Sequence, residues 1–209
     1  MPRASVRDRL LAAGLETLRQ QGFNGCGVQD ITDAAGVPKG SFYNHFDSKE
    51  ALGAAVVDHY MQVGESQWKR LEDASLSPLR RLRAYFAEQV DTLVAGRFEC
   101  GCLLANFAAE LADHSPAIRE RVAASFAAWS GRIAKVLGEA QAQGEVAQDV
   151  PPDMLATFML GAWEGAVLRS RVTKDRAALD AFLRLAFDRS LEAGTPACSQ
   201  GAAQARTPD

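Results

Sequence analysis

Apolar residues recur every three or four positions along nearly the whole chain, which is the spacing that gives an α-helix one buried face. No convincing stretch alternates polar and apolar residues in the way that a β-strand requires. The predicted helices cover approximately residues 5–21, 28–35, 38–45, 47–74, 77–95, 103–113, 116–143, 152–172 and 175–192. We therefore predict an all-α fold.

Capping signals and helix breakers divide the chain into parts. Ser5 and Asp8 have the spacing of a capping box at the start of the first helix, and Gly22 is placed to end it. Asp47 and Glu50 are expected to cap the fourth helix. The pattern predicts a three-helix head at residues 1–50, an all-α body at 51–192 and a disordered tail at 193–209.

Charge and composition exclude several classes of protein. The formal net charge is −3, so binding to a polyanion must depend on where the cations lie rather than on their number. No run approaches the roughly 18 apolar residues of a membrane span, and charges stand where a signal peptide is apolar. We expect a cytoplasmic protein without membrane contact. No metal or cofactor is predicted, because no zinc-site spacing occurs among Cys26, Cys100, Cys102 and Cys198.

The third predicted helix has one apolar side and one polar side. Pro38 suits its first position, where a missing N–H has no cost. Because successive residues are about 100° apart, Phe42 and Phe46 share the buried side, whereas Gly40 and Asn44 point outward. The outward surface combines a cation, a hydroxyl, a phenol, an amide and an imidazole, from Lys39, Gly40, Ser41, Tyr43, Asn44 and His45.

This polar side predicts contact with double-stranded DNA. A slim helix can enter the major groove, where Ser41 and Asn44 can donate to and accept from base edges. Lys39 and Lys49 lie at helix N-termini, where a cation is disfavoured by up to about 1 kcal/mol unless an anion such as phosphate is near. Alternatively, both lysines are solvated surface residues. Phosphate contacts are expected from Gln29, Lys39, Tyr43, His45 and Lys49.

Residues 5–55 resemble the N-terminal domain of TetR-family transcriptional regulators, through Gly22-Phe23, Ile31, 34–37, 39–46 and 48–50. The resemblance implies a homodimer that binds a palindromic operator, most often as a repressor, and releases it when a small ligand enters the C-terminal domain. Residues 1–50 would then be the DNA-binding helix-turn-helix domain, and 51–192 the ligand-binding and dimerisation domain. The pair Cys26-Gly27 departs from the family pattern before the second helix.

Two helices near the C-terminus are expected to form the dimer interface. The helix at 152–172 is apolar nearly all round, so it has two faces to bury, and the helix at 175–192 carries a broad apolar stripe. Two such helices from each copy would form a four-helix interface; alternatively, they close the core of a monomer. The expected interface residues are Leu155, Phe158, Met159, Ala162, Leu179, Phe182, Leu183, Ala186 and Phe187.

Residues 99–113 resemble a segment found in a TetR subgroup, several members of which answer electrophiles, oxidants or small unsaturated acids. Cys102 would lie at a helix N-terminus, which lowers the pKa of a thiol, and Cys100 would be a neighbouring thiol. The alternative is a cysteine buried in a tight turn. Cys26 is expected to pack near the second helix, and Cys198 to have no role.

Aromatic side chains with a few polar groups among them predict a pocket for a small organic effector, although such aromatics are more often core. Glu164 lies in an otherwise apolar helix and could bind a polar ligand group or pair with Arg169. The candidate lining residues are Asn106, Phe107, Phe126, Trp129, Phe158, Trp163 and Glu164.

Two other functions have to be weighed against that of a regulator. An enzyme is not expected, because His45, Asp47 and the cysteines form no set of nucleophile, base and orienting group, and the three histidines are scattered. An α-helical interaction module that does not bind DNA is the remaining alternative to a regulator.

Overall fold

A computed structural model describes residues 5–189. The regular structure in this range is helical, as the periodicity predicts. The predicted tail at 193–209, with Cys198, lies outside the described residues. The helices are α1 (Val6–Gln21), α2 (Val28–Ala35), α3 (Lys39–Tyr43), α4 (Lys49–Val63), α5 (Glu65–Trp68) with a 3-10 turn (Lys69–Glu72), α6 (Pro78–Ala95), α7 (Leu103–Leu111), α8 (Pro116–Ala142), α9 (Pro152–Thr173) and α10 (Ala177–Leu183), which continues as a π-helix (Arg184–Arg189).

Local chemistry sets the ends of the head helices. The Ser5 Oγ accepts a hydrogen bond from the Asp8 N–H at 3.1 Å, and the Asp8 carboxylate accepts one from the Ser5 N–H at 3.3 Å, which confirms the capping box. Gly22 (φ 78°) ends α1 and Gly36 (φ 61°) ends α2, since glycine has no Cβ to oppose a positive φ. The fully buried core of the head includes Leu10, Leu18, Ile31 and Phe42.

The start of α3 differs from the prediction, because Pro38 is its N-cap rather than its first helical residue. On α2, Ala34 is exposed and Thr32 is buried. The Thr32 hydroxyl donates to the Gln29 carbonyl at 3.0 Å, so its polar group is satisfied inside the head.

The N-cap of α4 is Ser48, whose Oγ accepts from the Ala51 N–H at 3.0 Å. The expected cap from Asp47 and Glu50 is therefore wrong. The Glu50 carboxylate instead accepts from the Ser115 hydroxyl, at the start of α8, so it joins the head to the body.

Helix α4 is also shorter than predicted. It ends at Val63 rather than near Ala74, because the chain turns at Gly64 into α5. This turn directs Trp68 into the body, where its ring stacks on Tyr85 with centroids 5.4 Å apart. A buried aromatic contact therefore stabilises a break that helical periodicity alone does not reveal.

The body is organised around α8, which packs against α4, α6, α7 and α9. An aromatic cluster joins α6, α9 and α10: the Phe86 ring lies 5.1 Å from Trp163 and 5.0 Å from Phe182, between centroids. In the part of the chain that the structure describes, no helix is long and apolar enough to cross a membrane.

Candidate DNA-binding surface and effector-binding body

Helix α3 presents its polar groups to the outside. Phe42 and Phe46 are buried and hold the helix against the head, as the 100° spacing predicts. A Cβ added to Gly40 would meet no atom of the chain within 4 Å, so this position faces open space. Tyr43 is 54% exposed. Ser41 is half-buried, and the exposed polar residues beside it are Lys39, Asn44 and His45.

The turn before α3 is fixed by a contact that sequence reasoning missed. The Arg9 guanidinium, from α1, donates to the carbonyl oxygens of Ala35 at 2.6 Å and Gly36 at 2.8 Å. These carbonyls end α2 and have no partner within that helix, so a cation is well suited to them. Arg9 therefore links α1 to the turn between α2 and α3.

Lys49 has a different environment from the one expected. Its Nζ donates to the carbonyl oxygens of Phe23 and Cys26, both at 2.7 Å, and lies 4.2 Å from the centroid of the Phe23 ring. The cation at the start of α4 is thus compensated inside the head, which corrects the argument that it requires a DNA phosphate. The Gln29 amide is exposed and donates to Asp33 at 2.7 Å.

A second missed contact joins the head to the body. The Glu110 carboxylate, on α7, accepts hydrogen bonds from the N–H groups of Phe23 at 3.1 Å and Asn24 at 2.7 Å. Beside them, the rings of Phe23 and Phe107 meet edge to face at 5.8 Å. The loop between α1 and α2 is therefore attached to α7 by both polar and apolar contacts.

Cys102 is the N-cap of α7, as expected, but its side chain is buried. Burial raises the pKa of the Cys102 thiol strongly, and the neighbouring Glu164 carboxylate raises it further, while the N–H groups of α7 only partly offset these effects. The expectation that the helix N-terminus makes Cys102 a reactive thiolate is therefore wrong. Cys100 is half-buried, and Cys26 is buried in the head as expected.

Glu164 is the most unusual polar residue of the body. Both of its carboxylate oxygens are buried, and the Cys102 thiol lies beside them as a hydrogen-bond donor. Burial raises its pKa to about 7, although the Cys102 thiol acts in the opposite direction. Arg169, the partner considered from the sequence, is exposed and belongs to an outer groove.

The candidate pocket residues do not line one common pocket. Trp163 belongs to the aromatic core around Phe86, and Phe158 is 75% exposed on the outside of α9. Phe107 and Phe126 border a cavity of 170 Å³ between α7 and α8. The Asn106 side chain accepts from Arg171 at 3.0 Å. Trp129 lines another cavity, where α1 meets α4, α5, α6 and α8.

An apolar groove of 500 Å³ runs between α9 and α10 on the surface. Exposed apolar side chains continue along the same two helices, including Val172 at 80% and Leu185 at 56% exposure. The expected interface residues that line the groove are Leu155, Phe158, Met159, Ala162, Phe182 and Ala186.

The remaining three expected interface residues, Leu179, Leu183 and Phe187, are buried in the chain's own core. Leu179 is fully buried, and the Phe187 ring packs 6.0 Å from Phe86. Their assignment to the interface is corrected, because the apolar stripe of α10 serves the monomer core as well as the groove.

Two descriptions of protein families match parts of the chain. The description "Bacterial regulatory proteins, tetR family" matches residues 10–56, and "Tetracyclin repressor-like, C-terminal domain" matches residues 78–186. The repressor DhaR of Mycobacterium sp. strain GP1 is 41% identical and aligns with 90% of this chain and 93% of its own. The regulator AcuR of Cereibacter sphaeroides is 35% identical, over 88% of this chain and 84% of its own.

Solved structures agree with these relatives in fold. A regulatory protein TetR from Rhodobacter sphaeroides superposes with a TM-score of 0.84 at 33% identity, covering 88% of this chain and 98% of that one. The reduced form of E. coli NemR gives a TM-score of 0.80 at 27% identity, covering 93% and 100%. The head, the body and the relatives together show that this chain belongs to the TetR family of helix-turn-helix transcriptional regulators.

Proposed function

We propose that the chain represses transcription by binding a palindromic operator as a homodimer and that a small organic effector releases it. The observation that carries the proposal is the surface of α3 and the two residues after it, which exposes Lys39, Tyr43, Asn44 and His45 while Phe42 is buried. In this proposal α3 lies in the major groove. Ser41 and Asn44 contact base edges, and phosphate contacts come from Gln29, Lys39, Tyr43 and His45.

The groove between α9 and α10 supports the dimer part of the proposal. An exposed apolar surface of this kind, with Phe158 at its edge, favours burial against a second copy. A two-fold axis there would present two heads to one face of the duplex. Recognition helices about 34–36 Å apart would then fit half-sites one turn of DNA apart.

A non-covalent effector is better supported than a reactive thiol. Cys102 is buried with a raised pKa, so little of it is thiolate near neutral pH. The named repressors DhaR and NemR are the relatives that favour repression over activation. We place the protein in the cytoplasm, where operator DNA is found.

Binding to the DNA upstream of its own gene, measured by gel shift, tests the proposal directly. Binding should weaken as salt rises, because phosphate contacts release counterions. Asn44→Ala should relax the preferred sequence in a random-pool selection, with a loss of about 1–3 kcal/mol at one base pair. Tyr43→Ala should weaken binding to all sequences alike.

Two results would contradict the proposal. If the purified protein selects no sequence from a random pool of duplexes, it is an interaction module rather than a regulator. If both variants keep full affinity and the wild-type preference, α3 is not the surface that reads DNA.

A further inference from the structure

A charged cavity of 260 Å³ opens on the surface of the body between the 3-10 turn, α6 and α8. It shares one lining residue, Trp68, with the cavity that Trp129 lines, and none of the effector-binding residues expected from the sequence borders it. The proposed function leaves this cavity without a role. The charged residues of its wall are Glu72, Arg81, Arg132, Lys135 and Glu139.

Arg81, on α6, is the most deeply buried charged residue of this wall, with 8% exposure. One of its terminal nitrogens donates to the Leu71 carbonyl at 2.9 Å, and the other pairs with the Glu139 carboxylate. The Arg81 Nε is buried as well, but it has no acceptor within residues 5–189. Because nearly all buried donors in proteins are hydrogen-bonded, this N–H leaves a position for an acceptor that the chain does not supply.

Two further cations of the wall come from α8. Arg132 and Lys135 are exposed and lie three residues apart, which puts them on one face of the helix. Neither forms an ion pair with a carboxylate of residues 5–189. The Arg132 guanidinium lies 4.7 Å from the centroid of the Trp68 ring, and this contact holds the cation against the wall.

The acids of the wall do not cancel these cations. Glu139 is already paired with Arg81, and Glu72 is exposed and has no ion-pair partner within the same residues. Asp73, which follows it, accepts the Ser75 N–H at 3.0 Å and does not line the cavity. Three cations against two carboxylates leave one positive charge in excess. The wall therefore favours an anionic ligand.

We propose that this cavity binds a small phosphate ester, with its phosphate group held by Arg81, Arg132 and Lys135. The three free oxygens of a phosphate ester can meet cations that converge from α6 and α8, whereas the two oxygens of a carboxylate suit one side chain. The volume of 260 Å³ leaves room for a small organic group beside the phosphate. The inference goes beyond the proposed function, because it adds a second ligand apart from the effector and the operator.

Calorimetric titration of the full-length protein, without DNA and in a buffer without phosphate, tests this site. Ribose 5-phosphate and inorganic phosphate are the probes, and ribose is the uncharged control. Ribose 5-phosphate should bind with a dissociation constant of about 1 mM or lower. Inorganic phosphate should compete with it, and ribose should give no heat, because the contacts are made by the phosphate group.

Variants then identify the groups that hold the phosphate. Arg132→Gln and Lys135→Gln should each lower the affinity about tenfold, because each removes one charge-assisted hydrogen bond. Glu72→Gln removes a like charge from the wall and should raise the affinity several-fold, a gain that unfolding cannot imitate. Lys39→Gln, at an exposed cation of the DNA-binding head, is the matched control and should bind as the wild type does.

Two results overturn the proposal. One is the absence of heat from both phosphates at about 10 mM, ten times the dissociation constant of a 1 mM site. The other is wild-type affinity in both α8 variants, above all if Lys39→Gln alone loses binding, because the phosphate would then lie on the head. Circular dichroism of each variant shows whether a loss reflects unfolding. Gel shifts measure operator binding separately, so either proposal can fail while the other holds.

Discussion

The carboxylate of Glu110, in the body, accepts the backbone N–H of Phe23, in the head, at 3.1 Å. The same carboxylate accepts from Asn24 at 2.7 Å, and a Cβ on Gly22 would lie only 2.6 Å from its Oε1. The glycine that ends α1 therefore also makes room for the acid that anchors the head. A movement of α7 must therefore either displace the loop between α1 and α2 or break these hydrogen bonds.

Glu110→Ala should destabilise the protein by about 1–3 kcal/mol, because two N–H groups at a partly buried joint lose their acceptor. Urea denaturation measures the change. Glu120→Ala, at an exposed acid of α8, should change stability little and serves as the control. Equal stability of the two variants would show that water replaces Glu110 without cost.

Lys49→Gln should mainly lower the stability of the protein, whereas Lys39→Gln should mainly affect DNA binding. Lys49 donates to two carbonyls of the head, so its loss should lower the free energy of unfolding by about 1–3 kcal/mol. Lys39 is exposed, so its loss should leave stability unchanged but reduce the salt dependence of DNA binding by about one counterion. Denaturation and gel shifts at several salt concentrations check both. If only the Lys49 variant shows a weaker salt dependence of DNA binding, then Lys49 contacts a phosphate, as the sequence predicts.

Stability should fall with rising pH because of Glu164. Its folded-state pKa is raised to about 7 from 4.5, so the contribution of the protonated acid is fully present below pH 4.5 and is lost as pH rises through 7. Glu164→Gln removes this titration. Relative to wild type, the variant should gain about 2–3 kcal/mol of stability between pH 5 and pH 8. Denaturation at both pH values measures this, and a constant difference would exclude a buried, protonated Glu164.

Phe158→Glu should convert the dimer to a monomer, because the exposed ring borders the groove between α9 and α10 and a carboxylate there would be desolvated on pairing. Light scattering after size exclusion gives the mass. Val63→Glu places the same charge at a 56% exposed position at the end of α4 and should leave the mass unchanged. A wild-type mass for the Phe158 variant would place the interface elsewhere.

Local signals predicted much of the head. Helix α2 has the predicted bounds, 28–35, because a glycine stands at each end. The outward direction of Gly40 and Asn44 follows from helix geometry once Phe42 is known to be buried. Both results depend on residues a few positions apart, which is the range over which sequence patterns are informative.

Tertiary contacts account for the errors. Arg9 and Glu110 have partners 26 and 86 or more residues away, and no periodicity records such pairs. Cys102 does occupy a helix N-terminus, but burial outweighs the effect of the helix on its pKa. The apolar stripe of α10, which includes Leu179, looks the same in the sequence whether it faces the chain's own core or a second copy. The sequence alone therefore could not tell which of its residues are buried in the core.

The apolar groove between α9 and α10 also affects how steeply operator occupancy depends on the concentration of the protein. If two chains must cover this surface together before both half-sites are read, the binding species is the pair rather than the chain. At concentrations below the dissociation constant of the pair, its amount grows as the square of the chain concentration. A modest change in the synthesis of the protein would then produce a larger relative change in operator occupancy, without any cooperativity between separate operators.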